Sequence, residues 1–262
     1  MTYADRISIR TRREIEIMRE AGRHVGEILL ELRDLAEPGV TTAEFDRVAA
    51  REIRKRGLES SFVGYAPGGA PPYPASVCVS VNEEIVHGIP GARELKEGDI
   101  LSLDFGIICE GFHGDSAVTI PVREVSQSAE ALLSATQASL YQGIEQMQVG
   151  KRLSDIGHAV QQYVEGAGFS VVRQFVGHGI GVRLHEPPQI PNYGRPGRGP
   201  RLLPGMVFAI EPMVNIGTER VRMLDDEWTA VTADGELSAH FEHTILVTED
   251  GPQVLTRVPG SH

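Results

Sequence analysis

The chain states one pattern twice, and that repetition constrains its fold more than any other feature. Gly98 stands six residues before Asp104, at the end of an apolar run, and Gly205 stands six residues before Glu211 after another. His113-Gly114-Asp115 is answered by His240-Phe241-Glu242, and His87-Gly88-Ile89 by His178-Gly179-Ile180. Superposing Gly39 on Gly150 also brings Phe45 onto Ile156, Ile53 onto Val164, Gly57 onto Gly168 and Leu58 onto Phe169. Two halves follow, about 1–125 and 126–262. No long linker or low-complexity segment parts them, so we expect a single domain over 1–262 with its site at the interface between the halves.

Each half reads as two helices followed by strands. The first helix starts at a capping box, Thr11 to Glu14, carries Ile15, Met18, Val25, Ile28, Leu29 and Leu32 at helical spacing, and ends by Pro38-Gly39. The second opens at Thr41, buries Phe45, Val48 and Ile53, and stops at Gly57. A Pro/Gly-rich loop covers 66–72, and strands are predicted over 76–81, 99–108 and 112–122. In the second half helices are expected over 129–148, interrupted by Gly143, and from a Ser154 N-cap to Gly166. Strands follow over 170–176, 206–214, 228–231 and 240–247.

The acids at the repeated stations carry the chemistry. Asp104 ends a strand-like run, Ile100 to Leu103, with scarcely a polar side chain, and Glu211 follows Met206 to Ile210. Glu242 lies between Phe241 and the apolar run from Thr244 to Val247. An ionised carboxylate in such surroundings is costly unless paired or metal-bound. If Glu110-Gly111 is a two-residue hairpin turn, Asp104 faces Ala117 and Asp115 faces Gly106, which makes the two aspartates diagonal neighbours on one face. Like charges that close repel unless a cation neutralises them. His178, in the glycine-rich Gly177 to Gly181, offers a nitrogen ligand. Carboxylates with one imidazole suit a pair of hard or borderline divalent ions, able to activate water for amide hydrolysis.

Composition excludes other classes. A net charge of −11 opposes a surface built to track a nucleic-acid backbone. Cys78 and Cys109 form no disulfide framework and no zinc-type pair, and no apolar run reaches the ~20 residues of a spanning helix. A soluble, cytoplasmic protein with no membrane or nucleic-acid partner of its own is expected.

Several stretches together resemble the type I methionine aminopeptidases, members of the pita-bread fold: Asn82 to Pro90, Leu103-Asp104-Phe105-Gly106, Gly111 to Ser116, Gly177 to Gly181, His185-Glu186-Pro187-Pro188, Ile210-Glu211-Pro212-Met213 and Phe241-Glu242-His243-Thr244. The resemblance covers nearly the whole chain. It implies an α+β pita-bread fold with an internal pseudo-twofold repeat, an antiparallel sheet flanked by helices. It also implies a monomeric hydrolase that removes N-terminal methionine before a small second residue. The substrate would be the N-terminus of nascent polypeptides, with the ribosome as a candidate partner. Asp104, Asp115, His178, Glu211 and Glu242 would hold two divalent ions, drawn from Co, Mn, Fe or Zn, with Asp115 and Glu242 bridging. Glu211 would also handle the proton of the attacking water. His87 would meet the substrate near its amino terminus and aid proton transfer, and His185 would hydrogen-bond the scissile carbonyl. Tyr65, Tyr73, Cys78 and Trp228 would line a methionine-sized pocket, with Cys78 as a wall rather than a nucleophile.

The chain departs from that family at Phe62, Leu184, Gly106 and the longer loop over 66–72. His113, His240 and His243 flank the acids and are expected to support them. An Xaa-Pro peptidase of the same fold is the neighbouring alternative, and a non-catalytic peptide-binding homologue the distant one. The first generally carries a further N-terminal domain, for which this chain is expected to have no room, and the second generally loses ligands.

Overall fold

The structure is a computed structural model, described here for residues 7–257. Its first half runs α1 (Arg12–Arg33), α2 (Thr42–Lys55), β1 (Glu59–Ser60), a 3-10 turn at Pro67–Gly69, β2 (Cys78–Val81), β3 (Glu84–Val86), β4 (Ile100–Cys109) and β5 (Phe112–Pro121). The second begins with α3 (Gln127–Ile144), α4 (Leu153–Gly166), β6 (Ser170–Val171), β7 (Gly177–Gly179) and β8 (Glu186–Ile190). It continues with β9 (Val207–Ile210), β10 (Met213–Asn215), β11 (Val221–Met223), β12 (Ala230–Thr232), β13 (Ser238–His240), β14 (His243–Thr248) and β15 (Gly251–Val254). No described helix is long and apolar enough to cross a membrane.

Alternation along β4 decides which way the sheet faces. Leu101, Leu103, Phe105 and Ile107 point into an apolar cluster with Val25, Ile28 and Leu32 of α1 and Phe45, Val48 and Ile53 of α2. Ser102, Asp104 and Gly106 therefore point to the opposite face. The second half does likewise: Phe208, Ile210, Ile245 and Val247 pack with Leu132 and Leu140 of α3 and Ile156 and Val160 of α4. The helices thus cover one side of the strands, and the acids look out of the other.

The repeat read from sequence reaches individual hydrogen bonds. Gly39 N–H donates to Leu95 O and Gly150 N–H to Leu202 O; Leu58 N–H donates to Ile53 O and Phe169 N–H to Val164 O. Gly98 N–H donates to Val122 O and Gly205 N–H to Val247 O. Gly98 and Gly205 have φ of 93° and 88°, so these matched turns use a backbone conformation that glycine adopts without steric cost. The helices α2 and α4 are both 14 residues long.

Among the described residues all strand pairs are antiparallel and fall into four sheets: β2-β4-β1 with β5 on β4, β13-β10-β6, β11-β12-β3, and β15-β14-β9-β7-β8. Two predicted strands prove to be broken. The run over 206–214 stops at Glu211-Pro212, because proline has no N–H for a ladder, and β9 and β10 join different sheets. The run over 240–247 parts at Phe241-Glu242, where Glu242 N–H donates to Ala117 O instead. The strand expected over 170–176 is only β6, and that over 228–231 begins at Ala230, since Trp228 and Thr229 N–H groups are held by Asp226. Gly143 does not interrupt α3; a Cβ there would lie 2.9 Å from Val160 Cγ2, so the glycine lets α4 approach. Ser154 is not the cap of α4. Arg152 is, and Asp155 accepts its N–H at 2.8 Å, while the Ser154 hydroxyl accepts Arg198 N–H.

Candidate metal centre

The site is assembled by strand register. Glu110 and Gly111 both have positive φ, 46° and 81°, the backbone of a tight hairpin turn, and they set the pairing of β4 with β5. Asp104 lies opposite Ala117 and Asp115 opposite Gly106, as expected. Cys78 lies opposite Asp104 on the other side, and Ala117 pairs with Glu242 across the junction of the halves. Opposed residues share a face. Cys78, Asp104 and Glu242 consequently point one way, with only the Ala117 methyl between the two carboxylates, and Asp115 joins them two residues along β5. In the second half His178 lies opposite Ala209, two residues before Glu211.

The five residues predicted as ligands come together. One ligand atom each from Asp115, His178 and Glu242 lies within 4.8 Å of the others. Glu211 Oε1 is 3.4 Å from His178 Nε2. His178 Nδ1–H donates to Gly179 O at 3.0 Å, which leaves the Nε2 lone pair free to face the acids. Asp104 Oδ1, Asp115 Oδ1 and Glu242 Oε1 are buried with no hydrogen-bond partner among the described residues. Buried acceptors without donors are costly. Oxygens of this kind beside a neutral imidazole are the donor set a divalent cation takes up.

The electrostatics tell the same story. Burial pushes the carboxyl of Asp104 up to about 7, and burial with the neighbouring acids holds Asp115, Glu211 and Glu242 well above the usual carboxylate range. Burial lowers His178 and His240 to about 3, and His87 and His185 to about 4, with other histidines adding to the shift. His185 reaches solvent at the rim, but protein crowds the rest of its ring. All four are neutral at pH 7.

Beside the acids lies a cavity of about 130 Å³ lined by Phe62, Tyr65, Tyr73, Cys78, His87 and Trp228 among others. Trp228 and Tyr73 meet edge-on with centroids 5.1 Å apart, and the Tyr73 hydroxyl donates to Gly88 O at 2.8 Å. His87 stands edge-on to Phe175 and Trp228. Burial and the Asp104 charge raise the Cys78 thiol well above its usual value, so it is a wall. His185 Nδ1 is hydrogen-bonded to the Tyr65 hydroxyl, and its ring lies 4.2 Å from that of His178.

Sequence reasoning did not place Phe175 or Pro67, both of which line the cavity, nor the bond from Trp228 Nε1–H to Pro71 O (3.0 Å) that ties the 66–72 loop to the pocket. Phe175 carried a signal, an aromatic three residues before His178; Pro67 carried none beyond lying in a loop. Of the flanking histidines, His240 faces the acids, with Nε2 3.9 Å from Glu211 Oε2 and 4.0 Å from Glu242 Oε2. His113 is bound to Ser61, and His243 turns to Thr256 and Ser116.

Comparison with known proteins agrees with this geometry. The sequence model of Metallopeptidase family M24 matches residues 16–249. Methionine aminopeptidase 1 of Bacillus subtilis is 55% identical over 252 residues, covering 96% of this chain and 100% of the relative. The crystal structure of methionine aminopeptidase from Thermotoga maritima superposes with a TM-score of 0.92 at 46% identity, covering 96% of this chain and 100% of that one. Prolidase from Pyrococcus furiosus, at 20% identity and a TM-score of 0.76, shares the pita-bread fold; this chain spans 67% of its length. With the family model spanning most of the chain and a relative more than half identical across it, the chain belongs to metallopeptidase family M24.

Proposed function

We propose that this metallopeptidase removes the N-terminal methionine of polypeptides, preferring a small second residue and working in the cytoplasm as a monomeric, single catalytic domain. The observation that carries the reading is the juxtaposition of donor-less buried carboxylate oxygens with an aromatic and thiol-lined cavity of about 130 Å³. A slot of that size and polarity favours an unbranched thioether over a charged side chain. The methionine aminopeptidase of Bacillus subtilis, matched end to end, supports the same assignment.

Asp104, Asp115, His178, Glu211 and Glu242 would hold two divalent ions, from Mn, Co, Fe or Zn. Such ions supply Lewis acidity and acidify water for attack on the first peptide carbonyl. The other steps belong to the chain's own groups. Glu211 takes the proton of the attacking water. The Tyr65 hydroxyl, donating to His185 Nδ1, keeps the proton on Nε2, where it can donate to the carbonyl oxygen as negative charge develops. His87, lining the cavity against Phe175 and Trp228, meets the substrate near its amino group and assists proton transfer.

Hydrolysis of Met-Ala-Ser by purified protein tests the proposal. Turnover should vanish on chelation and return with Mn(II), Co(II), Fe(II) or Zn(II). Peptide binding without metal-restored turnover, or faster cleavage of Xaa-Pro dipeptides, would overturn it.

A further inference from the structure

His185 is carried by an irregular stretch, the turn between β7 and β8, where pairing slips between His178 and Gly179. Something other than a ladder must hold that turn. Arg10, in the segment before α1, supplies the hold. Its guanidinium forms an ion pair with Glu186, the residue after His185, and donates to Ile180 O at 3.2 Å. One side chain therefore bridges the two ends of the turn that contains His185.

The clasp is built into the interior. The side chains of Arg10 and Glu186 are 7% and 8% exposed. Glu186 also accepts from the Ser8 hydroxyl at 3.3 Å and from Arg183 N–H at 3.1 Å. The Arg10 guanidinium lies over the Phe112 ring and fills the space beside Gly181, where a Cβ would come within 1.9 Å of Nη2. At its other end Arg10 N–H donates to Gly205 O at 2.8 Å, which fixes the segment to the second half. Stability alone is a poor reason for such a pair, since well-packed apolar side chains in its place are often as stable or more so. Both acceptors lie on Nη2, whose two N–H bonds point in fixed directions in the plane of the guanidinium, which is suited to fixing a conformation.

We propose that Arg10, acting through Glu186 and Ile180 O, is a positioning residue that sets His185 at the reacting carbonyl. This rests on the reading of His185 given above. The segment before α1 thereby supports the site from the first half, through the turn that carries His185.

The test uses the full chain loaded with Mn(II), comparing wild type, Arg10→Lys, and the paired variant Arg10→Met/Glu186→Gln. The paired variant leaves no lone buried charge, so it should fold where Arg10→Met alone could fail. In it, kcat on Met-Ala-Ser should fall about tenfold or more, because small misplacement of a catalytic group is costly. KM and Mn(II) affinity should stay within about twofold of wild type. Arg10→Lys should recover part of the loss. In metal-free protein, the side-chain ¹⁵N resonances of His185 should shift while those of His178 stay in place. A folded paired variant with wild-type kcat and an unmoved His185 signal overturns the proposal. So does a loss of Mn(II) affinity as large as the loss of kcat, which would mean general disorder of the site. If wild type itself fails to cleave Met-Ala-Ser, the functional reading falls instead, and the resonances of His185 decide the positioning role on their own.

Discussion

At the scale of the residue, the acids of this site are liabilities until a cation is present, and their titration should show it. Asp104 has a folded pKa of about 7 against an ordinary 3.8, and Asp115, Glu211 and Glu242 are held well above the usual carboxylate range by burial and the neighbouring acids. A raised carboxyl pKa means that the folded state binds more protons than the unfolded one, so its contribution to stability is lost as pH rises through the folded value. Buried histidines work the other way: His178 and His240 at about 3 and His87 and His185 at about 4 cost stability only as pH falls below their ordinary 6.5. Above about pH 6.5 the histidine contribution is flat and the carboxylates remain. Metal-free protein should therefore lose thermal stability as pH rises from about 6.5 through the folded value of Asp104 near 7, and saturating Mn(II) should cancel the loss. Asp104→Asn should flatten the same slope and raise the metal-free Tm at pH 8, while removing most Mn(II) affinity and peptide turnover. Melting curves with and without Mn(II), paired with calorimetric titration, check both. A metal-free Tm that climbs with pH, or wild-type Mn(II) affinity in Asp104→Asn, would remove these acids from the ligand set.

At the scale of the element, legibility followed how local the cause was. The capping box at Thr11, the hairpin turn at Glu110-Gly111 and the register of Asp104 against Ala117 depend on a few adjacent residues, and all were readable. The end of β13 was not, because Glu242 pairs with Ala117 from distant chain; the end of β9 had a local cause in Pro212, which the reading of 206–214 as one strand passed over. The loop over 66–72 was legible as a loop, but its anchor on Trp228 lies 157 residues away. Glycines show the same divide. Gly111 has a positive φ and open space around it, so Gly111→Ala should cost only about 1 kcal/mol, the conformational penalty. Gly179 has an ordinary φ, yet a Cβ there would stand 2.3 Å from Pro187 O, a backbone atom. Gly179→Ala must prise β7 from β8 and should cost more, about 1–3 kcal/mol, with a loss of kcat because His178 and His185 flank the strain. Urea unfolding of the two variants separates the cases; equal costs would mean that β8 is free to yield.

At the scale of the molecule, the junction between the halves is where fold and chemistry become one problem. Beside the isolated bridge of Ala117 and Glu242, two threonines join the backbones of the halves. The Thr244 hydroxyl accepts Asp115 N–H at 3.1 Å and donates to Asp115 O at 2.8 Å. The Thr119 hydroxyl accepts His240 N–H and donates to His240 O, both at 2.8 Å. Each threonine thus replaces a strand residue's own ladder bonds with a side chain, which spreads the two backbones apart around the acids. Both are buried, so Thr244→Val or Thr119→Val keeps the shape and strands a buried N–H and C=O, at about 1–3 kcal/mol each. The two should differ at the site. Thr244 holds the backbone of Asp115 itself, so its loss should weaken Mn(II) binding about tenfold, comparable to removing a supporting partner of a ligand. Thr119 holds His240, four residues along β5 from Asp115, and its loss should lower stability with a smaller change in Mn(II) affinity. Denaturant unfolding gives the first quantity and calorimetric titration the second. Equal effects on metal from both variants would mean that the seam acts only as glue; a selective effect of Thr244→Val would mean that joining the halves and presenting Asp115 are the same interaction.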